Sequence, residues 1–243
     1  MISEPIVLIL GSAPGVLACR DWPRAPFDQI VAINNAWAVR PDWDVLIHPE
    51  DFARDRMPGK ISARQTVVKA GDYVPAQNRY GGFVFAGGTM AFTAAYWALD
   101  ALRPRVLAFL GCDMVYAATG KTHFYGTGSA DPLREDVTLR DLGAKSARLA
   151  MMAAAQGCQC VNLSDAAQTA LLFPKAAVAD LGRVQGVAVD RPSYDALRQA
   201  ETALGYDTPD GRYWKREDQY DPAMLADIDA RWRRLYAAAC AKR

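Results

Sequence analysis

Short runs that are apolar along their whole length alternate with longer stretches of helical periodicity. Residues 6–10 (IVLIL), 29–34 (QIVAIN), 43–47 (WDVLI), 105–110 (RVLAFL) and 158–163 (CQCVNL) read as strands. Residues 65–69 and 83–85 are two further strand candidates. Strands without polar alternation are buried on both faces, as in parallel sheets covered by helices. Residues 89–102 (TMAFTAAYWALDAL) are apolar nearly all round and predict a buried helix. Residues 137–155 predict a second helix, with Thr138 as its N-cap and Gly157 closing it. The alternation implies a doubly wound, mostly parallel α/β sheet over residues 1–165. Beyond it, Pro174, Pro192, Pro209 and Pro222 punctuate helical pieces at 194–204 and 222–239. Residues 166–243 therefore read as a helical extension that packs on the core or forms a lid. No internal repeat is present.

Composition narrows the class. Half of the 243 residues are hydrophobic (51%), enough apolar surface to exclude global disorder. The formal net charge of +1 is too small for a broad electrostatic footprint, so nucleic acid is not a favoured partner. The apolar run at 6–10 is too short to span a membrane and follows Glu4, with no basic leading segment; a cytoplasmic protein is the expectation. The five cysteines are odd in number and dispersed. Cys158 and Cys160 lack the second pair or nearby histidine of a zinc site and read as small core residues of a strand. Asp42 and Asp44 form a D-x-D, but they lie at the start of a strand, away from any expected site.

In open α/β sheets ligands bind beyond the carboxyl ends of the strands, so the residues that follow each strand are the candidates. After the first come Gly11, Ser12, Ala13, Pro14 and Gly15, a loop fit for close backbone approach but matching neither the dinucleotide nor the Walker pattern. After the second come Asn34 and Asn35, paired carboxamides suited to a ribose, a base edge or a sugar. After the third come His48, Pro49, Glu50 and Asp51. Gly87, Gly88 and Thr89 open the buried helix, where an N-terminus attracts anions. After residues 105–110 comes a long polar and aromatic loop holding Asp113, Tyr116, His123 and Tyr125, with Gly120, Lys121, Thr122, Thr127 and Gly128 around them. Its tyrosines and histidine can donate to developing negative charge, and His123 can take or give a proton near neutral pH.

The order of these segments resembles the single-domain bacterial sialyltransferases and the related pterin pyrophosphokinase-like group, both built on a Rossmann-like sheet. Gly11-Ser12-Ala13-Pro14-Gly15 stands where those families carry a G-x-G-P-S-type loop, and Asn34-Asn35-Ala36-Trp37 where an Asn precedes an aromatic. Ile47-His48-Pro49, Gly87-Gly88-Thr89-Met90 and Gly111-Cys112-Asp113-Met114-Val115-Tyr116 follow in the family order. The resemblance covers about residues 6–163. It implies that Gly11, Ser12, Asn34 and Asn35 bind the donor, that Gly88 and Thr89 lie near its phosphate, and that Tyr116 and Tyr125 stabilise the departing charge. It implies no required metal. The chain departs from the pattern where the sialyltransferase base is a histidine near the start of the next helix: here the residues are Asp136-Val137-Thr138-Leu139. Either His123, Asp136 or Asp113 would then be the base, or the reaction is not sialyl transfer.

The resulting expectation is a glycosyltransferase. It would move a sugar from a nucleotide-sugar donor, a CMP-sugar by preference, to an acceptor hydroxyl by direct displacement. An ATP-dependent diphosphotransferase acting on a small pterin-like alcohol is the alternative, with Mg²⁺ held by Asp113 and Glu50 or Asp51. A non-catalytic nucleotide-binding protein is the third reading. The proline-punctuated tail can cover the site or a neighbouring copy, which leaves a homo-oligomer open.

Overall fold

The computed structural model describes residues 4–116, 120–127 and 135–242. Six strands form one all-parallel sheet: β1 (Ile6–Leu10), β2 (Gln29–Ile33), β3 (Val45–Ile47), β4 (Thr66–Val68), β5 (Val106–Leu110) and β6 (Gln159–Asn162), in the spatial order β4-β3-β2-β1-β5-β6. The chain thus winds outward from β1 to β4, then returns to place β5 on the other side of β1. The alternation of β1 assigns each side chain to a layer: Ile6, Leu8 and Leu10 enter one core, Val7 and Ile9 the other. The fold is a Rossmann-like doubly wound sheet with helices at its C-terminal end.

The layers are unequal. After β1 and β2 the chain turns through 3-10 helices, Pro14–Asp21 and Asn34–Ala38, which cover one face. The opposite face carries α1 (Ala70–Arg79), α2 (Gly82–Ala86), α3 (Met90–Ala101) and α4 (Leu142–Ala154). That division is what right-handed crossovers require when the winding direction reverses between β1 and β5.

Two sequence expectations need correction, and one helix is added. Residues 83–85 are not a strand but the middle of α2, bracketed by Gly81, Gly82 and Gly87, all with positive φ. A short apolar run buried all round has no periodicity to separate the two forms. The helix expected over 137–155 is broken: a 3-10 turn at Val137–Leu139 is capped by Asp136, and α4 starts afresh with Asp141 accepting from the Ala144 amide. Helix α1 was not foreseen, because Gly71 and Pro75 interrupt its pattern.

The extension docks on the helical face. Helices α5 (Arg191–Leu204) and α6 (Pro222–Cys240) place Leu197, Leu225, Ile228, Trp232 and Tyr236 in the same apolar core as α3 and α4. Cys158 and Cys160 are buried in that core too, and burial pushes both thiols up, Cys158 to about 12. Asp42 and Asp44 brace the strand starts: Arg40 binds Asp42 at 2.6 Å, and the Ile30 amide donates to Asp44 at 2.7 Å. Among the described residues no helix is long and apolar enough to cross a membrane.

Candidate functional site at the switch point

The winding reverses between β1 and β5, and a cleft of about 180 Å³ opens at their carboxyl ends. Its walls come from distant parts of the chain: Gly11, Ser12 and Ala13 after β1, Asn34 and Asn35 after β2, Thr89 at the start of α3, and Tyr116, His123 and Tyr125 beyond β5. The two strand ends are held almost in contact. Gly11 N–H donates to Leu110 O at 2.8 Å and Ala13 N–H to Gly111 O at 3.0 Å. A Cβ on Gly11 would lie 2.3 Å from Gly111 O, so glycine is required there for packing. With those amides engaged and Pro14 lacking one, the first loop is a tight splice rather than an open phosphate cradle.

Asn34 is the most telling residue of the cleft. It takes a left-handed conformation (φ 52°), which Asn tolerates, and its buried Oδ1 has no hydrogen-bond partner. A buried acceptor left unpaired is costly. Met114, which also lines the cleft, has φ 53° without the side-chain compensation available to Asn. Strain of this kind clusters at ligand sites.

The segment after β5 folds back over β1. Phe124 N–H donates to Ser12 O at 2.9 Å, and a tight turn pairs His123 with Gly126. The His123 ring stacks on Tyr125 at 5.0 Å, with Tyr116 at 5.8 Å, and its Nδ1 is 2.8 Å from Thr122 Oγ1. Burial pushes the His123 pKa down, so the ring is neutral at pH 7. The tautomer that donates from Nδ1 to Thr122 keeps a lone pair on Nε2 for a proton. Cys112 also lines the cleft, but burial and then the Asp113 charge push its thiol well up, which leaves it a poor nucleophile. Gly128, part of the same long loop, lies outside the described residues.

Other candidates stand apart. Asp113 is buried and turned away from the cleft: Oδ2 accepts from Ser164 Oγ at 2.8 Å, and its backbone carbonyl accepts from Ala170 N–H. It pins the segment after β6. His48 is buried against Phe52, with Nδ1 2.8 Å from Pro49 O, and supports the cleft wall from behind. Gly87 and Gly88 serve close packing. A Cβ on Gly87 would lie 2.9 Å from the Phe92 ring, and one on Gly88 would lie 2.4 Å from Tyr213 Oη; the Gly88 amide donates to Thr138 Oγ1 at 3.0 Å. Thr89 caps α3 by accepting from Phe92 N–H. Of the three candidate bases, only His123 lines the cleft.

Two wall residues had no signal in the sequence. Arg56 brings a cation into the cleft from an exposed 3-10 turn, and Phe52 flanks it. They follow β3 within a loop of ordinary polar composition, and only the fold carries them to the switch point.

A second, larger cavity of about 800 Å³ adjoins the cleft. Met90 lines both; Gly88 faces the cavity and Thr89 the cleft. Asp210, Gly211, Arg212, Tyr213, Trp214 and Glu217 of the extension also line the cavity. Asp136 lies here, its Oδ2 accepting from Tyr213 Oη at 2.8 Å and its Oδ1 from the Thr138 amide and hydroxyl at 2.7 Å each. Glu50 and Asp51 open into this cavity and not toward Asp113. Among the described residues no group of three metal-ligating side chains is gathered. Comparison with protein-family models, with curated proteins and with solved structures returned no match to this chain.

Proposed function

We propose that the protein is a glycosyltransferase that takes its donor, a nucleotide sugar with CMP favoured, at the β1–β5 switch point. The observation that carries this reading is convergence. Segments more than a hundred residues apart meet in one crevice, with Asn34 in its wall. Asn34 and Asn35 would read the polar edge of the nucleoside, and Arg56 would neutralise donor phosphate. The acceptor hydroxyl attacks the anomeric carbon, a C–O bond forms as the bond to phosphate breaks, and the hydroxyl proton passes to His123 Nε2. Tyr116 and Tyr125 donate hydrogen bonds to the departing phosphate, which is where such electrostatic help lowers the barrier most. The diphosphotransferase reading has less support, since Asp113 is bonded to Ser164 while Glu50 and Asp51 open elsewhere.

A thermal-shift panel of CMP, UDP, GDP and ATP tests the donor. Ligand at about 100 times its Kd stabilises the fold by about 2.7 kcal/mol, a plain rise in Tm. A rise with CMP that Asn34→Ala removes is the expected result. No shift with any nucleotide, or a shift with ATP alone that needs Mg²⁺, would overturn the reading.

A further inference from the structure

The cavity beside the cleft has the build of a binding site in its own right. One wall is a continuous run of rings: Tyr73 meets Phe83 edge-on at 6.5 Å, Phe83 stacks on Tyr213 at 5.9 Å, and Tyr213 meets Trp214 at 5.4 Å. Trp214 ends the run and is 57% exposed, an unusual degree for so large an apolar surface. The volume of about 800 Å³ falls in the range of small-molecule sites, about 300–1,000 Å³. Polar groups are few in kind. Among the described residues, Glu50, Asp51, Glu135, Asp136, Asp210 and Glu217 line it against one cation, Arg212. The negative field reaches inside: burial first, and then the charges of Glu50 and Asp51, push the Tyr73 phenol up to about 12. The adjoining cleft has the opposite character, with Arg56 in its wall and no carboxylate among the described residues that line it.

We propose that this cavity is the acceptor subsite and that it selects an amine-bearing, cationic polyol of the amino-sugar class. The inference rests on the transferase reading for the word acceptor; the site itself rests on the cavity. Flat aromatic walls suit the apolar face of a sugar ring, and an ammonium group is drawn both to ring faces and to carboxylates. An anionic ligand is repelled, so the nucleotide end of a donor is kept on the cleft side of Met90. The Asp210–Glu217 wall then makes the extension part of the specificity apparatus.

The test is saturation-transfer NMR on the full chain, slightly below neutral pH, with glucosamine, N-acetylglucosamine and glucose as probes. Glucosamine should bind about tenfold more tightly than the two neutral sugars, the equivalent of about 1.4 kcal/mol. The preference should fade at about 1 M salt, where the screening length is about 3 Å. The doubly exposed variant Glu50→Gln/Asp51→Asn should weaken glucosamine about threefold or more and leave glucose unchanged, and Glu217→Gln in the extension should act in the same direction. Trp214→Ala should weaken all three probes. Equal binding of the charged and neutral sugars, or a preference untouched by both carboxylate variants, overturns the proposal. If CMP stabilises the protein but glucosamine does not bind selectively, this inference fails alone. If glucosamine binds selectively but no nucleotide does, the cationic site stands and the transferase reading falls.

Discussion

Removing the charge of Glu201 should unfasten the C-terminal extension from the sheet. Glu201 on α5 is 1% exposed, and its oxygens accept from Arg148 Nε at 2.7 Å, Arg148 Nη2 at 2.8 Å, Arg198 Nη1 at 2.6 Å and Trp232 Nε1 at 2.7 Å. Arg148 on α4 is fully buried; it also donates to Tyr96 Oη at 2.8 Å and to the Tyr80 carbonyl. The Glu201–Arg148 pair thus ties α3, α4, α5 and α6 together. Glu201→Gln keeps the shape but leaves the Arg148 guanidinium buried without a counter-ion, and it points an NH₂ at groups that are themselves donors. Breaking a buried pair in this way costs about 3–5 kcal/mol, a large part of a typical total of about 5–15 kcal/mol. With a urea slope near 3 kcal/mol per M, the unfolding midpoint should fall by about 1–2 M. Urea titration followed by tryptophan fluorescence measures this, with the exposed pair Arg183–Asp180 as control; Arg183→Gln should shift the midpoint by less than about 0.3 M. Acid provides a second check. Burial pushes the Glu201 carboxyl up, but the Arg148 charge and its hydrogen bonds outweigh that and hold it below its ordinary value. Its contribution is therefore complete above the unfolded carboxyl pKa and is lost as pH falls through the folded one, so the gap between wild type and variant should narrow in acid. A Glu201→Gln protein that unfolds at the wild-type urea concentration would refute the staple.

The remaining predictions concern the cleft. His123→Ala should lower sugar transfer by about 10²–10⁴-fold with little effect on donor binding, and unchanged turnover would remove His123 from the role of base. Because burial lowers the His123 pKa, the wild-type rate should rise with pH along a limb centred below about 6.5, and that limb should vanish in the variant; the depressed pKa also means that His123 favours folding more as pH rises through this range. Gly11→Ala should destabilise the fold by about 1–3 kcal/mol or more, since its Cβ would meet the Gly111 carbonyl at 2.3 Å, and a denaturation midpoint equal to wild type would contradict the splice of β1 to β5. Arg56→Gln, at an exposed position, should leave Tm unchanged and weaken an anionic nucleotide several-fold in direct titration, with the loss largest at low salt. Equal affinity in the variant would place the phosphate elsewhere.

The parallel sheet was legible from the chain alone because its signal is local. A strand buried on both faces must be apolar at every position, and a glycine or polar residue must follow where it emerges, so 6–10 and 105–110 announce both a strand and a site-bearing end. That rule collected Gly11, Asn34, Tyr116, His123 and Tyr125, and the helix start added Thr89; the fold does bring these together. It could not sort them from Asp113, His48 and Gly88, whose surroundings are made by Ser164, Phe52 and Tyr213, residues up to 125 positions away. Nor could it separate helix from strand at 83–85, where burial on every side erases periodicity. Arg56 entering the cleft, the pairing of Arg148 with Glu201, and the cavity closed by Asp210–Glu217 depend on contacts between remote segments. Local composition records which residues can be buried or exposed; only the packed chain decides which charges and rings face one another, because those distances are set by every layer between them.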